Sequence, residues 1–445
     1  MDSKKLLEGY REELIREIRN VVSFNTIQAE AKPNAPFGQG CADCLDYVLE
    51  LGKKMGFQTH NCDYYAGHIE FGEGEELFGV LGHLDVVPVS EDGWIAPPFS
   101  GEVIGDKIYG RGTIDDKGPM MAALFALKAL KDNGFQPKKR IRLIFGCNEE
   151  SGMGCMRYYL KHEEIPSAAI SPDGDFPVIN VEKGIYAMMV TPGKIDENIL
   201  EIAAGSRINI VPDLCTAKVK RGTETKFFKE EGVEIAECED GIYLTSRGVA
   251  AHGAQPEKGV NATWAMFRAL AKTFPNDETI RFVSEKIAAD TFAGAWGFPF
   301  EDKESGRISV NIGTVKTDNG TLVLGLDIRY PVTFTSEQLT EKMKENSPAG
   351  FRILGGHANK PLWVPEESEL VQTLLKVYSD ITHTEAHAIA IGGGTYSRML
   401  PLCVAFGPMF PGDEMVEHMT NEYISITRLM QMTEMYYEAF RRLCE

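Results

Sequence analysis

Between Leu77 and Pro172 short apolar runs alternate with helical stretches, and this alternation restricts the segment to strands and crossover helices of a parallel sheet. LFGVLGHLDVV reads as a buried strand, and GPMMAALFALKALKDNG as a helix opening at Gly118 and Pro119 and closing at Gly134. IRLIFGCNEE and SAAISPD supply further strands. From Gly184 the pattern changes to glycine-punctuated strands (IYAMMVTPG, GIYLTSRGVAAHG, ISVNIGTVK, TLVLGLDIRYPV), with helices at VNATWAMFRALAKTF and SEQLTEKMKEN. Near Pro361 the first pattern resumes with a helix through ELVQTLLKVYSD, a strand at CVAFGP and a closing helix at SITRLMQMTEMYYEAFRRL. The expected fold is α/β: a mostly parallel sheet flanked by helices, formed by residues 1–183 and 361–445, with an inserted α+β lid domain of two units over 184–360. A length of 445 residues, too great for one ordinary core, agrees with this division.

Charge and cysteine usage narrow the setting. A formal net charge of -19 argues against sequence-independent binding to nucleic acid or to anionic membranes. MDSKKLLEGYREELIREIRNVVSF is an amphipathic helix and not a signal peptide, and no apolar run approaches membrane-spanning length. Nine scattered cysteines do not make a disulfide framework, so a reducing cytoplasm is expected. Cys41 and Cys44 form a CxxC that lacks a second pair and reads as two reduced thiols on a helix.

The chemistry-bearing residues gather where the strands end. In HLDVVP, His83 and Asp85 stand two apart, so on a strand they share one face at its carboxyl end, where open α/β sheets bind ligands. GRGTIDDKGP sets Asp115 and Asp116 before a helix start, where one of them serves as an ordinary cap. CNEESG adds Glu149 and Glu150, SPDGD adds Asp173, and EHMTNE adds His418 before the last helix. Taken singly each has a plain structural reading: a strand-end polar pair, a solvated charge pair, a turn former, a surface histidine. Taken together, successive strand-to-loop junctions deliver hard or borderline metal ligands to one sheet edge. Histidine nitrogens combined with carboxylate oxygens suit zinc, manganese or cobalt better than calcium or magnesium.

HLDVVP, GRGTIDDKGP, NEESG and SPDGDFP, in this order, resemble the co-catalytic metallopeptidase family that includes peptidase V, carnosinase, aminoacylase and succinyl-diaminopimelate desuccinylase. RINIVPD, AHGAQPEKGVNA, DIRYP and IGGGTYSR look most like its bacterial peptidase V type of dipeptidase. The resemblance spans essentially the whole chain and implies a zinc-peptidase-like catalytic domain. It implies two divalent metal ions, zinc first with manganese or cobalt as alternatives. His83 and Asp173 would hold one, Glu150 and His418 the other, with Asp115 as the bridge. It further implies that Asp85 orients His83 and that Glu149 is the general base. From the lid, His252 would stabilise the oxyanion, while Asn209, Arg329 and the backbone amides of Gly393 and Gly394 would grip the substrate carboxylate.

Two other patterns are set aside. His383 and His387 in HTEAH have helical spacing, but the glutamate is misplaced for an HExxH zinc site. Asn261-Ala-Thr matches a glycosylation sequon that has no meaning in a cytoplasmic chain. The expected function is a two-metal dipeptidase of bacterial type acting on dipeptides with a free amino group, monomeric, with a homodimer as the alternative. An acylamino-acid amidohydrolase or desuccinylase keeps the chemistry and changes the substrate. An inactive scaffold fits less well, because Asp85 and Glu149 are present beside the ligands.

Overall fold

The structure, a computed structural model, describes residues 3–90 and 92–445. The chain forms two compact units. The first runs to Asn180 and adds Val364–Ile389 and Gly394–Glu445; the second comprises Val181–Trp363 and Ala390–Gly393. No helix among the described residues is long and apolar enough to cross a membrane.

In the first unit, strands pair in the spatial order Gln58–Cys62, Ala66–Phe71, Arg140–Gly146, Leu77–His83, Ala168–Ser171, Cys403–Ala405. The last four run parallel to one another. The first two form an antiparallel hairpin that joins Arg140–Gly146 antiparallel, so the sheet is mixed. Leu77–His83 is buried along its entire length, which accounts for its unbroken apolar sequence: an inner parallel strand is covered on both faces.

The helix Lys117–Asp132 contacts Leu77–His83, Arg140–Gly146 and the closing helix Ile426–Cys444, so it is buried nearly all round. Truncating a side chain such as Leu124, which is fully buried, costs about 2–5 kcal/mol. Ser425 caps the closing helix by accepting the Arg428 N–H.

The expected single N-terminal helix is two helices, Ser3–Glu8 and Arg11–Val22, because the chain makes a turn at Gly9 and Tyr10, whose N–H groups bond to the Leu6 and Leu7 carbonyls. Met1 and Asp2, where that expectation begins, lie outside the described residues. Cys41 and Cys44 are buried on the helix Gln39–Lys54.

The second unit is built on one eight-stranded sheet in the order Glu234–Cys238, Gly241–Arg247, Leu214–Val219, Ile199–Ala204, Ser309–Asp318, Thr321–Tyr330, Gly184–Lys194, Arg352–Asn359. The expected two α+β units share this sheet: Ser309–Asp318 pairs with Ile199–Ala204 on one side and Thr321–Tyr330 on the other, joining both strand sets. The helix Ala262–Thr273 packs its Met266, Phe267 and Leu270 into the core beneath it. Asn261, the sequon residue, is buried and caps this helix by accepting the Thr263 N–H.

Candidate active site

Parallel strands end on one edge of a sheet, and the loops leaving that edge converge. His83 is the last residue of its strand, Glu149 and Glu150 follow Arg140–Gly146 within four residues, and Asp173 lies two residues past Ala168–Ser171. Ligand atoms of His83, Asp115 and Glu150 lie within 4.8 Å of one another, and so do those of His83, Glu149 and Asp173. His83 belongs to both groups. His418 Nε2 stands 2.9 Å from Asp115 Oδ2 and 3.1 Å from Glu150 Oε1, so all the expected ligands of the first unit come together.

Hydrogen bonds orient these groups. The His83 Nδ1–H donates to the main-chain carbonyl of Asp85 at 2.9 Å, which turns the Nε2 lone pair toward Asp115 Oδ1, also at 2.9 Å. His83 Nε2 and Asp115 Oδ1 are buried and have no hydrogen-bond partner. Two buried acceptor atoms face each other at that distance where a cation can join them, and a nitrogen with carboxylate oxygens is a suitable donor set for a divalent transition metal.

Asp85 differs from expectation in two ways. It lies beyond the strand and not on it, and its carboxylate Oδ1 is 3.6 Å from His83 Nδ1, so its carbonyl orients the ring. The carboxylate instead accepts the N–H groups of Glu149 at 2.9 Å and Glu150 at 3.1 Å, fixing the turn that carries both glutamates. Asp116 occupies the cap position of Lys117–Asp132 but makes no capping bond there; its Oδ2 accepts the His83 N–H at 3.1 Å.

The electrostatics follow from crowding carboxylates in a buried place. Burial pushes the Asp85 carboxyl up to about 6 and Asp116 well above its ordinary range. Burial and the charge of Asp173 raise Glu149. Contacts with Asp115 and Glu150 raise His418 to about 11. Although burial favours the neutral ring, the Asp115 contact and charge raise His83 too. The crowded carboxylates thus favour positive charge at this place, the balance a dication would supply.

In the second unit, Arg329 lies within the strand Thr321–Tyr330. Its Nε and Nη2 each donate to Asp327 at 2.9 Å, and Nη1 donates to the Gly392 carbonyl at 2.6 Å. The exposed His252 accepts the Ala254 N–H on Nδ1 at 3.2 Å, leaving Nε2 as the protonated nitrogen of the neutral ring. Desolvation and the charge of Arg329 keep its pKa low. Asn209 is exposed and accepts the Gly253 N–H with its carbonyl. Gly393 belongs to this unit, whereas Gly394 belongs to the first, where a Cβ would collide with Arg398. His383 ends its helix in a left-handed conformation and His387 lies beyond it, so these histidines do not share a helical face.

Sequence reading missed Asp327, and also Arg111 and Glu422, a buried ion pair at 2.6 Å whose carboxylate accepts N–H groups of the loop that carries Asp115. Asp327 had a usable signal, since it stands two before Arg329 on one strand and so shares its face. Glu422 had only its place four residues after His418.

The model of Peptidase family M20/M25/M40 matches residues 79–442. A dipeptidase-named protein of Bacillus subtilis is 39% identical over 98% of both chains. One of Staphylococcus epidermidis is 35% identical over 100% of this chain and 99% of its own. Among solved structures, human carnosine dipeptidase 1 superposes with a TM-score of 0.58 at 15% identity over 99% of both chains. The dipeptidase Dug1p of Saccharomyces cerevisiae gives 0.58 at 14% identity, covering 99% of this chain and 98% of its own.

Proposed function

The chain belongs to peptidase family M20/M25/M40, whose members hydrolyse peptide bonds with divalent metal ions, and on that premise we propose that it is a two-metal dipeptidase. The observation that carries the reading is the convergence of His83, Asp115 and Glu150, and of His83, Glu149 and Asp173, within 4.8 Å. His83 and Asp173 would hold one ion, Glu150 and His418 the other, with Asp115 between them. When bound, such a pair supplies Lewis acidity to the attacking water and to the scissile carbonyl.

The protein's own groups do the rest. Glu149 takes the proton of the attacking water and returns it to the departing amine, held for this by the bond from its N–H to Asp85. Asp115 and Glu150 balance charge and hold position. In the second unit, proposed as the lid, the Nε2–H of His252 is the donor for the developing oxyanion. Arg329 and Asn209 grip the substrate carboxylate, with the amides of Gly393 and Gly394 completing the grip. A free carboxylate held at one fixed reach from the reacting carbonyl admits one residue after the scissile bond, and this makes dipeptides the substrates. The dipeptidase names of the Bacillus and Staphylococcus relatives support that choice.

The test is hydrolysis of a dipeptide panel beside acylated amino acids, with zinc, manganese or cobalt added to the chelator-stripped protein. Cleavage of free-amine dipeptides with inert acyl-amino acids is the expected result. The reverse pattern would make the chain an amidohydrolase, and no hydrolysis of either would leave a binding protein on an enzyme fold.

A further inference from the structure

His418 adopts a left-handed backbone conformation, with φ of 62, which residues with a side chain rarely occupy without outside support. The support is visible. Arg111, 3% exposed, donates from Nη2 to the His418 carbonyl at 3.2 Å and from Nη1 to Glu422 Oε2 at 2.6 Å. Glu422 is fully buried. Its other oxygen, Oε1, accepts three backbone N–H groups of the loop that carries Asp115: Gly112 at 2.8 Å, Ile114 at 3.1 Å and Asp115 itself at 3.4 Å. The main chain continues the link, since the Gly110 N–H bonds to the Glu422 carbonyl and Tyr423–Ser425 pairs antiparallel with Lys107–Tyr109.

One buried ion pair therefore ties together two loops far apart in sequence, one ending in Asp115 and the other in His418. A buried carboxylate is costly unless it is paired and hydrogen-bonded, and Glu422 is both. Its partners lie on the loop that carries Asp115, while Glu422 itself follows His418 by four residues. We propose that Glu422, with Arg111, is a positioning residue of the metal centre: it sets the separation of Asp115 from His418, and so the affinity of the ion they share. This rests on the two-metal reading above. Because Glu422 and Arg111 reach only the Asp115 and His418 side, the ion held by His83 and Asp173 is expected to be affected less.

The test uses the full chain stripped by chelator and titrated with zinc against a chromophoric chelator, alongside the melting temperature of the stripped protein. Glu422→Gln keeps the volume but presents an amide N–H to groups that are themselves donors. It should weaken one of the two zinc equivalents about ten- to a hundred-fold and the other less, the usual effect of losing a group that orients metal ligands. Arg111→Lys keeps a charge beside Glu422 but gives up the fork that also reaches His418, and should give a smaller loss of the same equivalent. A purely structural role would lower the melting temperature of the stripped chain and leave zinc affinity unchanged in the folded fraction; that result overturns the proposal. If Glu422→Gln does not fold, Arg111→Lys decides by the same criterion. A parent chain that takes up none of zinc, manganese and cobalt would remove the two-metal reading and this proposal with it, whereas a parent that binds two ions with an unaffected Glu422→Gln would remove this proposal alone.

Discussion

His83 Nε2 and Asp115 Oδ1 face each other at 2.9 Å inside the protein, and neither atom has a hydrogen-bond partner. Two acceptors held in this way repel unless a cation or a proton stands between them. Asp115→Asn should therefore lose metal, since an amide cannot supply the charge that both proposed ions share. Metal content after gel filtration checks this. Two metals per chain with normal turnover in Asp115→Asn would end the assignment, as would full activity in the presence of a strong chelator.

Glu149 and Glu150 are neighbours with different proposed work, and Asp85 holds the N–H of each. Glu149→Gln should keep its metal and lose roughly 10²- to 10⁴-fold in kcat, the usual contribution of a general base. Glu150→Gln should lose metal as well. Parent-like turnover by Glu149→Gln would require another route for the proton.

The sheet and its loops were legible because burial on both faces imposes unbroken apolar runs, and a ligand at each strand end stands out against them. His83, Glu150 and Asp173 stood out as candidate ligands for that reason, and the fold brings Asp115 and His418, which lie in loops, close to them. The jobs of Asp85 and Asp116 were not, because a carboxylate beside a histidine or before a helix looks the same whether it binds a ring, caps a helix or accepts a neighbouring N–H. Only the fold decides which donor comes within hydrogen-bonding reach. The return of Ala390–Gly393 to the second unit was also hidden, since its contacts are distant in sequence: the Ile391 carbonyl meets the Lys183 N–H, and the Gly392 carbonyl meets Arg329 across 63 positions.

His252 accepts the Ala254 N–H on Nδ1, which selects the tautomer with Nε2 protonated. If Nε2 serves the oxyanion, His252→Ala should lower kcat by about 10²- to 10³-fold with little change in metal content. Mixing His252→Ala chains with Glu149→Gln chains then asks which subunit the histidine serves. No recovery is expected for a self-contained monomer, and recovery would show that it acts on a partner.

His68 offers a pH prediction away from the metal centre. Burial, then the charges of Arg142 and His60, lowers its pKa to about 3, and its Nδ1 lies 2.7 Å from the Tyr159 hydroxyl. The unfolded chain takes up this proton near pH 6.5 and the folded chain does not, so stability is full above pH 6.5. It falls on acidification toward pH 3 by up to about 1.4 kcal/mol per pH unit. Urea unfolding of the stripped protein at pH 7.5, 5.5 and 4.5 should show a shallower acid loss for His68→Gln than for the parent. Equal slopes would mean that His68 titrates alike in both states.

Arg329 is proposed to read a free carboxylate, and its surroundings dictate how to test it. Three of its N–H groups are engaged by Asp327 and the Gly392 carbonyl, leaving two of the five on a guanidinium for substrate. Asp327 is 1% exposed, so Arg329→Ala would strand a buried carboxylate and mix a stability loss of about 3–5 kcal/mol into the kinetics. Arg329→Lys keeps the charge beside Asp327 and removes the fork. A lost charge-assisted hydrogen bond costs about 1.5–3 kcal/mol, so kcat/KM for a dipeptide should fall roughly ten- to a hundred-fold. For the corresponding dipeptide amide the loss should largely disappear, and the parent should cleave tripeptides poorly. Equal losses on acid and amide would show that Arg329 does not read the carboxylate. Brisk tripeptide cleavage by the parent would overturn the dipeptidase reading, because the proposed carboxylate clamp admits one residue beyond the scissile bond.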